Sequence, residues 1–528
     1  MENIFTYFIS DIILFFGILI FTFFSFPKHT NKKPGLYIST LIAIISLALC
    51  GFLPFCAGAF KLSNLNNLLQ NFISFTPFED YHINLLGGSI LITPLHIFEK
   101  FIITLSSLVV LILSFPFIKK LNQKTPKFML LYLITLISGY MAVVSNDFIS
   151  LFIALEIVSA SIFAMIVCFN DTQDKRALTL EGGTKYYILN LVSSAFMLFG
   201  ISYIYSILGT VNFSDINTMI INKILPNAPL LNIGEILFFM AFTFKIGAYP
   251  FYVWVIDTFK GINYSIVLFI STTIQAIFIF SMIKPAICLG YFGSLLSFAL
   301  ILSAIITIIL GSMLMIRTLK KDGAIKDFIS ACTILNTGYI FLGIAFLTKG
   351  TISAGIFYAL VYLITNFGIF SGIMLLVRNI KKLQNKGTQG AQNIQGMGDE
   401  NLCRLKGISY ISPFFAVMLS ICLLSLAGFP VMSGFSAKFY LYTEILRSGI
   451  WAVYPLLFAA FGGVVSIYSY FKIIFSMFQK PENFRIYKRK PAFDKFNTCT
   501  FTLSLCAVCL ILGFFFFAPL IELIYNMV

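Results

Sequence analysis

Long apolar segments follow one another along almost the whole chain, separated by short polar stretches. About fourteen of them approach or exceed the roughly 20 residues that a membrane-spanning helix needs. They cover residues 4–26, 36–60, 98–118, 128–145, 147–169, 176–208, 233–260, 263–283, 292–316, 324–348, 351–377, 408–447, 451–478 and 499–525. The pattern predicts an all-α polytopic membrane protein with about 14 transmembrane helices. Residues 61–97 alternate loosely and predict a small hairpin outside the membrane.

The composition agrees with a membrane protein. Of 528 residues, 59% are hydrophobic and only 11% are charged, too few to cover a soluble protein of this length. The first segment follows no basic stretch and has no clear cleavage site, so we expect a retained helix. The ten cysteines form no Cys-x-x-Cys pairs, and the three histidines lie in or near loops, so we expect no metal site. Without a Walker or Rossmann glycine pattern, we expect no cofactor in this chain.

The net charge of +15 does not indicate nucleic-acid binding, because the basic residues are unevenly distributed. Alternate loops, beginning with the one between the first two helices, hold 26 of the 36 Lys and Arg residues. Cytoplasmic loops of membrane proteins carry such an excess. The basic loops are therefore predicted on the cytoplasmic or matrix side, and both termini on the opposite side.

Two of the segments are interrupted in the same way, each close to a lysine. Pro250 follows Lys245, and Pro430 stands between Gly428 and Gly434, ahead of Lys438. Proline has no N–H and clashes with the carbonyl four residues back, so both helices are predicted to break. Paired broken helices are typical of transporters built from inverted repeats.

The breaks suggest how the chain is organised. Each falls in the fourth helix of a five-helix unit, which predicts two inverted repeats, 128–283 for helices 4–8 and 284–478 for helices 9–13. Residues 1–127 would form helices 1–3. Residues 479–528 would form a cytoplasmic loop and helix 14.

Four charged residues fall within these apolar segments: Glu156, Lys185, Lys245 and Lys438. An ionisable group inside a bilayer is costly and marks a functional site by default. Lys185 is the nearest basic residue in sequence to pair with Glu156, and the alternative is a structural salt bridge. A desolvated lysine can accept and release a proton when a neighbouring charge changes, so Lys245 and Lys438 are candidate relays. Their alternative is snorkelling to the interface.

Gln275 and Asn336 are uncharged polar residues within apolar segments. Both can bind water or a neighbouring helix. For Asn336 we favour a hydrogen bond between helices.

Four stretches carry a family likeness. They are S-N-D at 145–147 running into Leu155-Glu156, E-G-G-T-K-Y-Y at 181–187, F-K-I-G-A-Y-P-F-Y-V-W at 244–254, and L-S-L-A-G-F-P-V-M-S-G-F-S-A-K-F-Y at 424–440. Together they resemble the antiporter-like membrane subunits of respiratory complex I, with subunit N as the most similar member. The likeness extends over roughly residues 100–480.

The resemblance implies a proton-translocating subunit of an NADH–quinone oxidoreductase. By family analogy Glu156 and Lys185 form a coupling pair, Lys245 is the central relay and Lys438 the distal one. NADH, FMN, iron–sulfur clusters and quinone would belong to other subunits. The implied partners are other membrane subunits of the complex and the lipid bilayer, with no nucleic acid. The implied location is an energy-transducing membrane, the bacterial inner membrane or alternatively the mitochondrial one.

Two departures from the family pattern concern proton transfer. Tyr252 stands where the family usually has histidine, which titrates near neutral pH. Gln275 stands where it usually has a lysine, and glutamine cannot carry a proton as a charge. Water or Tyr252 would have to bridge this gap. Two alternative functions stay open: a subunit of an Mrp-type cation/proton antiporter, or a structural paralogue that no longer conducts.

Overall fold

The computed structural model describes residues 83–85, 88–121, 124–169, 176–221, 229–290, 294–320, 323–385, 402–410, 412–480 and 498–528. The predicted segments 4–26 and 36–60 lie outside the described residues. So do parts of the predicted hairpin region, together with residues 386–401 and 481–497.

The described residues are almost entirely helical, with one small hairpin. The strands are β1 (Ile83–Leu85) and β2 (Ile90–Ile92). The helices of the first half are α1 (Pro94–Leu121), α2 (Thr125–Val144), α3 (Phe148–Cys168), α4 (Arg176–Leu208), α5 (Phe213–Ile221), α6 (Pro229–Ile246), α7 (Val253–Gly261), α8 (Tyr264–Phe269) and α9 (Gln275–Leu289). The remaining helices are α10 (Ser294–Lys320), α11 (Ile325–Ala345), α12 (Lys349–Asn385), α13 (Pro413–Ala427), α14 (Ser433–Arg447), α15 (Val453–Phe478), α16 (Thr498–Phe515) and α17 (Phe517–Met527).

Eleven helical stretches of the described residues are long and apolar enough to cross a membrane. They correspond to eleven of the twelve segments predicted in this part of the chain. The twelfth, 408–447, consists of the two shorter helices α13 and α14. A π-helical turn, Ile270–Ile274, joins α8 to α9, and all residues of the span Tyr264–Leu289 except Lys284 and Ile287 are buried. The polytopic all-α architecture is therefore confirmed.

Two compact units divide the chain. Of the described residues, those up to 246 together with 261–299 and 522–528 form the first, and those within 247–260 and 300–521 form the second. The predicted five-helix repeats were defined by sequence parity, and they remain a prediction.

In the first unit the hairpin lies against the beginning of α3. Strands β1 and β2 pair antiparallel, with Ile83 opposite Ile92. The Asn146 amide nitrogen donates to the Gly88 carbonyl and to Asn212 Oδ1. Asp147 then caps α3 by accepting the Ser150 backbone N–H. These polar contacts gather the hairpin, the start of α3 and the start of α5 at one end of the unit.

In the second unit, interhelical hydrogen bonds fix α11 within the bundle. Tyr358 on α12 donates to the Asn336 side-chain oxygen at 2.9 Å. Tyr339 donates to the Ala459 carbonyl of α15 at 2.8 Å. The first of these agrees with the structural role that the sequence favoured for Asn336.

Two helix boundaries differ from the sequence prediction. The last segment, expected as one helix over 499–525, is divided at Phe516 into α16 and α17. Pro519 lacks the N–H that would bond to the Phe515 carbonyl, which accounts for the division. The short helix α5 was not predicted, because its nine residues are partly polar and too few to span a membrane.

Candidate functional site: a buried ion pair beside a broken helix

Glu156 on α3 and Lys245 near the end of α6 form an ion pair within the first unit. The Lys245 Nζ lies 2.8 Å from Glu156 Oε1. The lysine side chain is 1% exposed and the carboxylate side chain 26%. The lysine is thus enclosed by protein, whereas its partner keeps one side open.

Three acceptors surround the Lys245 ammonium group, one for each of its protons. They are Glu156 Oε1 at 2.8 Å, Ser159 Oγ at 2.7 Å and Asn190 Oδ1 at 2.8 Å. Glu156 and Ser159 are three residues apart and therefore share a face of α3. The Ser159 hydroxyl donates to the Leu155 carbonyl, which leaves its oxygen free to accept from lysine.

The carboxylate is held from the other side by α4. Asn190 Nδ2 donates to Glu156 Oε2 at 3.1 Å, and Ser194 Oγ donates to Oε1 at 2.6 Å. Asn190 therefore bonds to both members of the ion pair. Neither Asn190 nor Ser194 was predicted from the sequence, although two polar side chains four residues apart in an apolar helix indicate one polar face.

The predicted pairing of Glu156 with Lys185 is wrong. Lys185 forms its ion pair with Glu181, four residues earlier on α4, at 2.7 Å. Both of those side chains are about half exposed. Lys185 precedes Asn190 by five residues, which places it about 140° around the helix from the residue that faces Glu156. Proximity in sequence selected the wrong lysine.

The first predicted break is present immediately after the ion pair. Helix α6 ends at Ile246, and Gly247 adopts a left-handed φ of +74°. Residues 247–252, which include Pro250 and the half-buried Tyr252, are not helical, and α7 begins at Val253. The site thus has Lys245 on the last turn of a helix that stops within an apolar segment.

The second predicted break lies in the second unit, and Lys438 binds directly to it. Gly428 ends α13 with a φ of +82°, and α14 begins at Ser433, beyond Pro430. Lys438 Nζ donates to the Leu426 carbonyl at 2.8 Å and to the Ala427 carbonyl at 3.2 Å. The carbonyl left free four residues before Pro430 is therefore a ligand of the buried lysine.

No carboxylate among the described residues forms an ion pair with Lys438. Lys438 is 8% exposed, and its ammonium group lies 5.3 Å from the centroid of the Tyr339 ring. Backbone carbonyls and an aromatic face, both partially negative, thus replace the carboxylate that Lys245 has. This difference was not predictable from the similar sequence around the two lysines.

Gly434 fixes the close approach of the two halves of this broken helix. A Cβ atom at Gly434 would lie 1.8 Å from the Ser425 carbonyl oxygen. The Gly434 N–H instead donates to Ser425 Oγ at 3.2 Å. Only glycine fits here, which explains its place in the motif.

Gln275 follows the π-helical turn and is 5% exposed. It belongs to a span in which all but two residues are buried, so it faces protein rather than lipid. A relay role for Gln275 or Tyr252 stays a prediction.

Further buried charges lie in the first unit and were not singled out by the sequence. Glu99 and Glu235 are 1% and 0% exposed, and the Lys284 amine nitrogen is also buried. In the part of the chain that the structure describes, no group of three or more metal-ligating side chains occurs.

Most of these features lie in a part of the chain that matches a known protein family. The family model for the transmembrane part of NADH:quinone oxidoreductase and Mrp antiporter subunits matches residues 145–466. The chain belongs to this family. The matched range contains the ion pair, both helix breaks and Lys438, but not Glu99.

Named members of the family are similar over most of the chain. The NADH-quinone oxidoreductase subunit N of Ruthia magnifica subsp. Calyptogena magnifica is 27% identical, over 84% of this chain and 86% of that protein. The subunit N of Azobacteroides pseudotrichonymphae is also 27% identical, over 90% and 94% of the two proteins.

Two solved structures share the fold. A chain of respiratory complex I from Thermus thermophilus superposes with a TM-score of 0.71 and 19% identity, over 97% of this chain and 98% of that one. A chain of the Mrp complex from Dietzia sp. gives a TM-score of 0.74 at 15% identity, over 100% and 97%.

Proposed function

We propose that the chain is a proton-translocating membrane subunit of an NADH–quinone oxidoreductase. The observation that carries this proposal is the buried Glu156–Lys245 ion pair at the end of an interrupted helix. Relatives named NADH-quinone oxidoreductase subunit N, similar over most of the chain, support the same assignment. A relay needs a basic group whose charge can be switched, and Lys245 provides one.

The geometry explains how such a switch would work. Two unit charges 2.8 Å apart attract by roughly 6 kcal/mol at an effective dielectric constant of 20. If the Glu156 carboxylate is neutralised or drawn away, Lys245 loses that attraction and holds its proton less tightly. Lys245 then releases a proton, and it takes one up again when the pair re-forms.

Lys438 is the proposed distal relay. Its ammonium group is stabilised by carbonyl dipoles and an aromatic ring instead of a full negative charge. A modest change in nearby charge is therefore enough to alter its protonation. Lys245 and Lys438 would be protonated alternately.

Lys185 would have a peripheral role in the proposed proton relay. It is about half exposed and paired with Glu181, so it can exchange protons with an aqueous path that leads to Glu156. Gln275 and Tyr252 would hold water in the path and would not carry charge themselves.

The redox chemistry would take place elsewhere in the complex. NADH, FMN, iron–sulfur clusters and quinone would be bound by other subunits, and this chain would have no redox site of its own. The partners would be the other membrane subunits and lipid. The chain is a multi-pass protein of an energy-transducing membrane, and we propose the bacterial inner membrane with the basic loops in the cytoplasm.

The test is proton pumping by membrane vesicles that contain the intact complex. We expect Lys245→Ala and Glu156→Gln to lower the protons moved per NADH oxidised while the complex still assembles. Exposed Asp215, changed to Asn, is the matched control for loss of a carboxylate. Unchanged pumping with full assembly would instead support a structural paralogue.

A second candidate function is favoured by the family model and by the Mrp neighbour of the same fold. In that case the chain would be a subunit of a cation/proton antiporter. Purification in mild detergent with mass identification of the co-purifying chains separates the two. Redox subunits would support the first function, and small antiporter subunits the second.

A further inference from the structure

Glu99 and Lys284 are opposite charges in the first unit, and each has a buried polar atom without a hydrogen-bond partner among the described residues. Glu99 is the sixth residue of α1 and is 1% exposed. Lys284 is on α9, five residues before its end. Neither Glu99 Oε1 nor Lys284 Nζ has a hydrogen-bond partner among the described residues. A buried charge without a partner is costly, so this arrangement requires an explanation.

Both residues lie at the end of the unit where the hairpin packs. The Lys284 ammonium group is 5.9 Å from the centroid of the Phe213 ring, at the start of α5. Helices α1 and α9 are in contact, so Glu99 and Lys284 belong to adjacent helices. The groups that interact electrostatically with Lys284 are Cys288, Glu99 and Asp147, which caps α3. Lys284 in turn acts on Glu99. We call Glu99 and Lys284 together the end site.

The other titratable groups around the end site carry no comparable charge. His96, three residues before Glu99, is 4% exposed and accepts the Thr93 backbone N–H at its Nδ1. Cys288, one turn after Lys284, is a buried free thiol. The groups that act on Lys284 are therefore the Cys288 thiol and the carboxylates of Glu99 and Asp147.

The end site lies between the Glu156–Lys245 pair and one surface of the membrane. Asp147 precedes Glu156 by nine residues, which is about 13 Å along α3. The loops at this end are poor in Lys and Arg, which predicts the non-cytoplasmic side. Glu235, ten residues before Lys245 on α6, lies toward the same end and is fully buried, with neither carboxylate oxygen hydrogen-bonded in the described structure. Ionisable groups thus continue from the ion pair toward that surface.

A purely structural ion pair does not explain this geometry. Glu156 and Lys245 show that the fold can bring a buried carboxylate and amine to 2.8 Å. Glu99 and Lys284 influence each other's charge yet make no such contact. Buried polar groups that lack a protein partner are usually satisfied by ordered water. A water between them would complete the hydrogen bonding of both groups.

We propose that Glu99 and Lys284, bridged by ordered water, form a second proton-transfer site that links the Glu156–Lys245 pair to the non-cytoplasmic surface. In the transfer, the carboxylic acid of Glu99 gives its proton to the water, and the water gives a different proton to the neutral amine of Lys284. The products are a carboxylate, an ammonium group and an unchanged water. This inference rests on the proposed proton-translocating function.

The first experiment measures protons moved per NADH oxidised by the intact complex in proteoliposomes. We expect Glu99→Gln and Lys284→Met each to lower this ratio, whereas the exposed Asp215→Asn variant at the same end leaves it unchanged. Lys245→Met is measured in parallel. If Lys245→Met has no effect, the proposed function fails. If Lys245→Met lowers the ratio and Glu99→Gln does not, only the end site is refuted.

The double variant Glu99→Gln/Lys284→Met distinguishes transfer from structure. A merely structural pair would tolerate the loss of both charges together, so full pumping by the double variant would overturn the proposal. An assembled double variant with a low ratio supports it.

A second measurement uses the wild-type complex and therefore does not depend on variants that assemble. Hydrophobic carbodiimides react with protonated carboxylic acids in apolar surroundings, and the added mass identifies the peptide. We expect Glu99 to be labelled, because a transfer site must be protonated for part of the time. Complete absence of label on Glu99, with label on other buried carboxylates, would overturn the proposal.

Discussion

Replacing Glu156 and replacing Lys245 should destabilise the protein by different amounts. In Glu156→Gln, the Lys245 ammonium group keeps only neutral acceptors, in a site where its side chain is 1% exposed. In Lys245→Met, Glu156 is 26% exposed and still bonded to Asn190 and Ser194. Leaving Lys245 without its carboxylate is therefore expected to destabilise the protein more than leaving Glu156 without its lysine.

The burial of the two side chains sets the size of the destabilisation in each variant. Removing one partner of a buried ion pair costs about 3–5 kcal/mol. Lys245 can avoid an unpaired charge by releasing its proton, and for a lysine with its usual pKa near 10.4 that release costs about 4.6 kcal/mol at pH 7. The loss of stability in Glu156→Gln at pH 7, which we call its deficit, should thus be about 3–5 kcal/mol. For Lys245→Met, where hydrogen bonds and exposure remain, we expect about 1–3 kcal/mol.

The two deficits should depend on pH in opposite directions. Releasing the lysine proton becomes easier as pH rises and costs only about 2 kcal/mol at pH 9. The deficit of Glu156→Gln should therefore shrink from pH 7 to pH 9. Protonating Glu156 becomes easier as pH falls, so the deficit of Lys245→Met should shrink below pH 7.

Hydrogen exchange of the α6 amides in the intact complex, followed by mass spectrometry, gives the free energy of local opening. Each variant is compared with wild type at the same pH. The double variant Glu156→Gln/Lys245→Met should be less destabilised than the sum of the single variants. Equal, additive deficits that do not change with pH would refute a buried charge pair.

Three further predictions concern Lys438, Gly434 and Asn190. Lys438→Met should destabilise α14 by about 1–3 kcal/mol, because the Leu426 carbonyl loses its donor, and should also lower pumping; a fully stable variant would contradict the observed contacts. Gly434→Ala should prevent normal packing of the broken helix, because its Cβ would overlap the Ser425 carbonyl, and native gels should show lost assembly. Asn190→Leu should lower pumping without loss of the Glu156–Lys245 pair, and unchanged pumping would show that its bonds to both partners are dispensable.

The sequence predicted the helical architecture well, because hydropathy and helix-breaking prolines act locally. Eleven of the twelve spans expected in the described part of the chain are helices long and apolar enough to cross a membrane, and the twelfth consists of two shorter helices. Both breaks fall at the predicted motifs. The division at Phe516 was missed, although Pro519 provides a local signal for it. Helix α5 was missed because a short, partly polar helix has no transmembrane hydropathy signal.

The candidate site was predicted less completely, because partners in a helix bundle are distant in sequence. Glu156, Lys245 and Lys438 were identified as buried charges, but the partner of Glu156 was assigned to Lys185. The correct partner is 89 residues away in the chain. Asn190 and the end site depend on which helix faces pack together, and hydropathy alone does not give that information.

Lys245→Arg separates a proton relay from a structural ion pair most directly. Arginine keeps the positive charge and can bond to Glu156, but it does not release its proton at any physiological pH. The measurement is the number of protons moved per NADH oxidised by the assembled complex in sealed vesicles. We predict that this ratio falls in Lys245→Arg, although assembly is preserved. An assembled Lys245→Arg complex that pumps as wild type does would contradict proton transfer through Lys245.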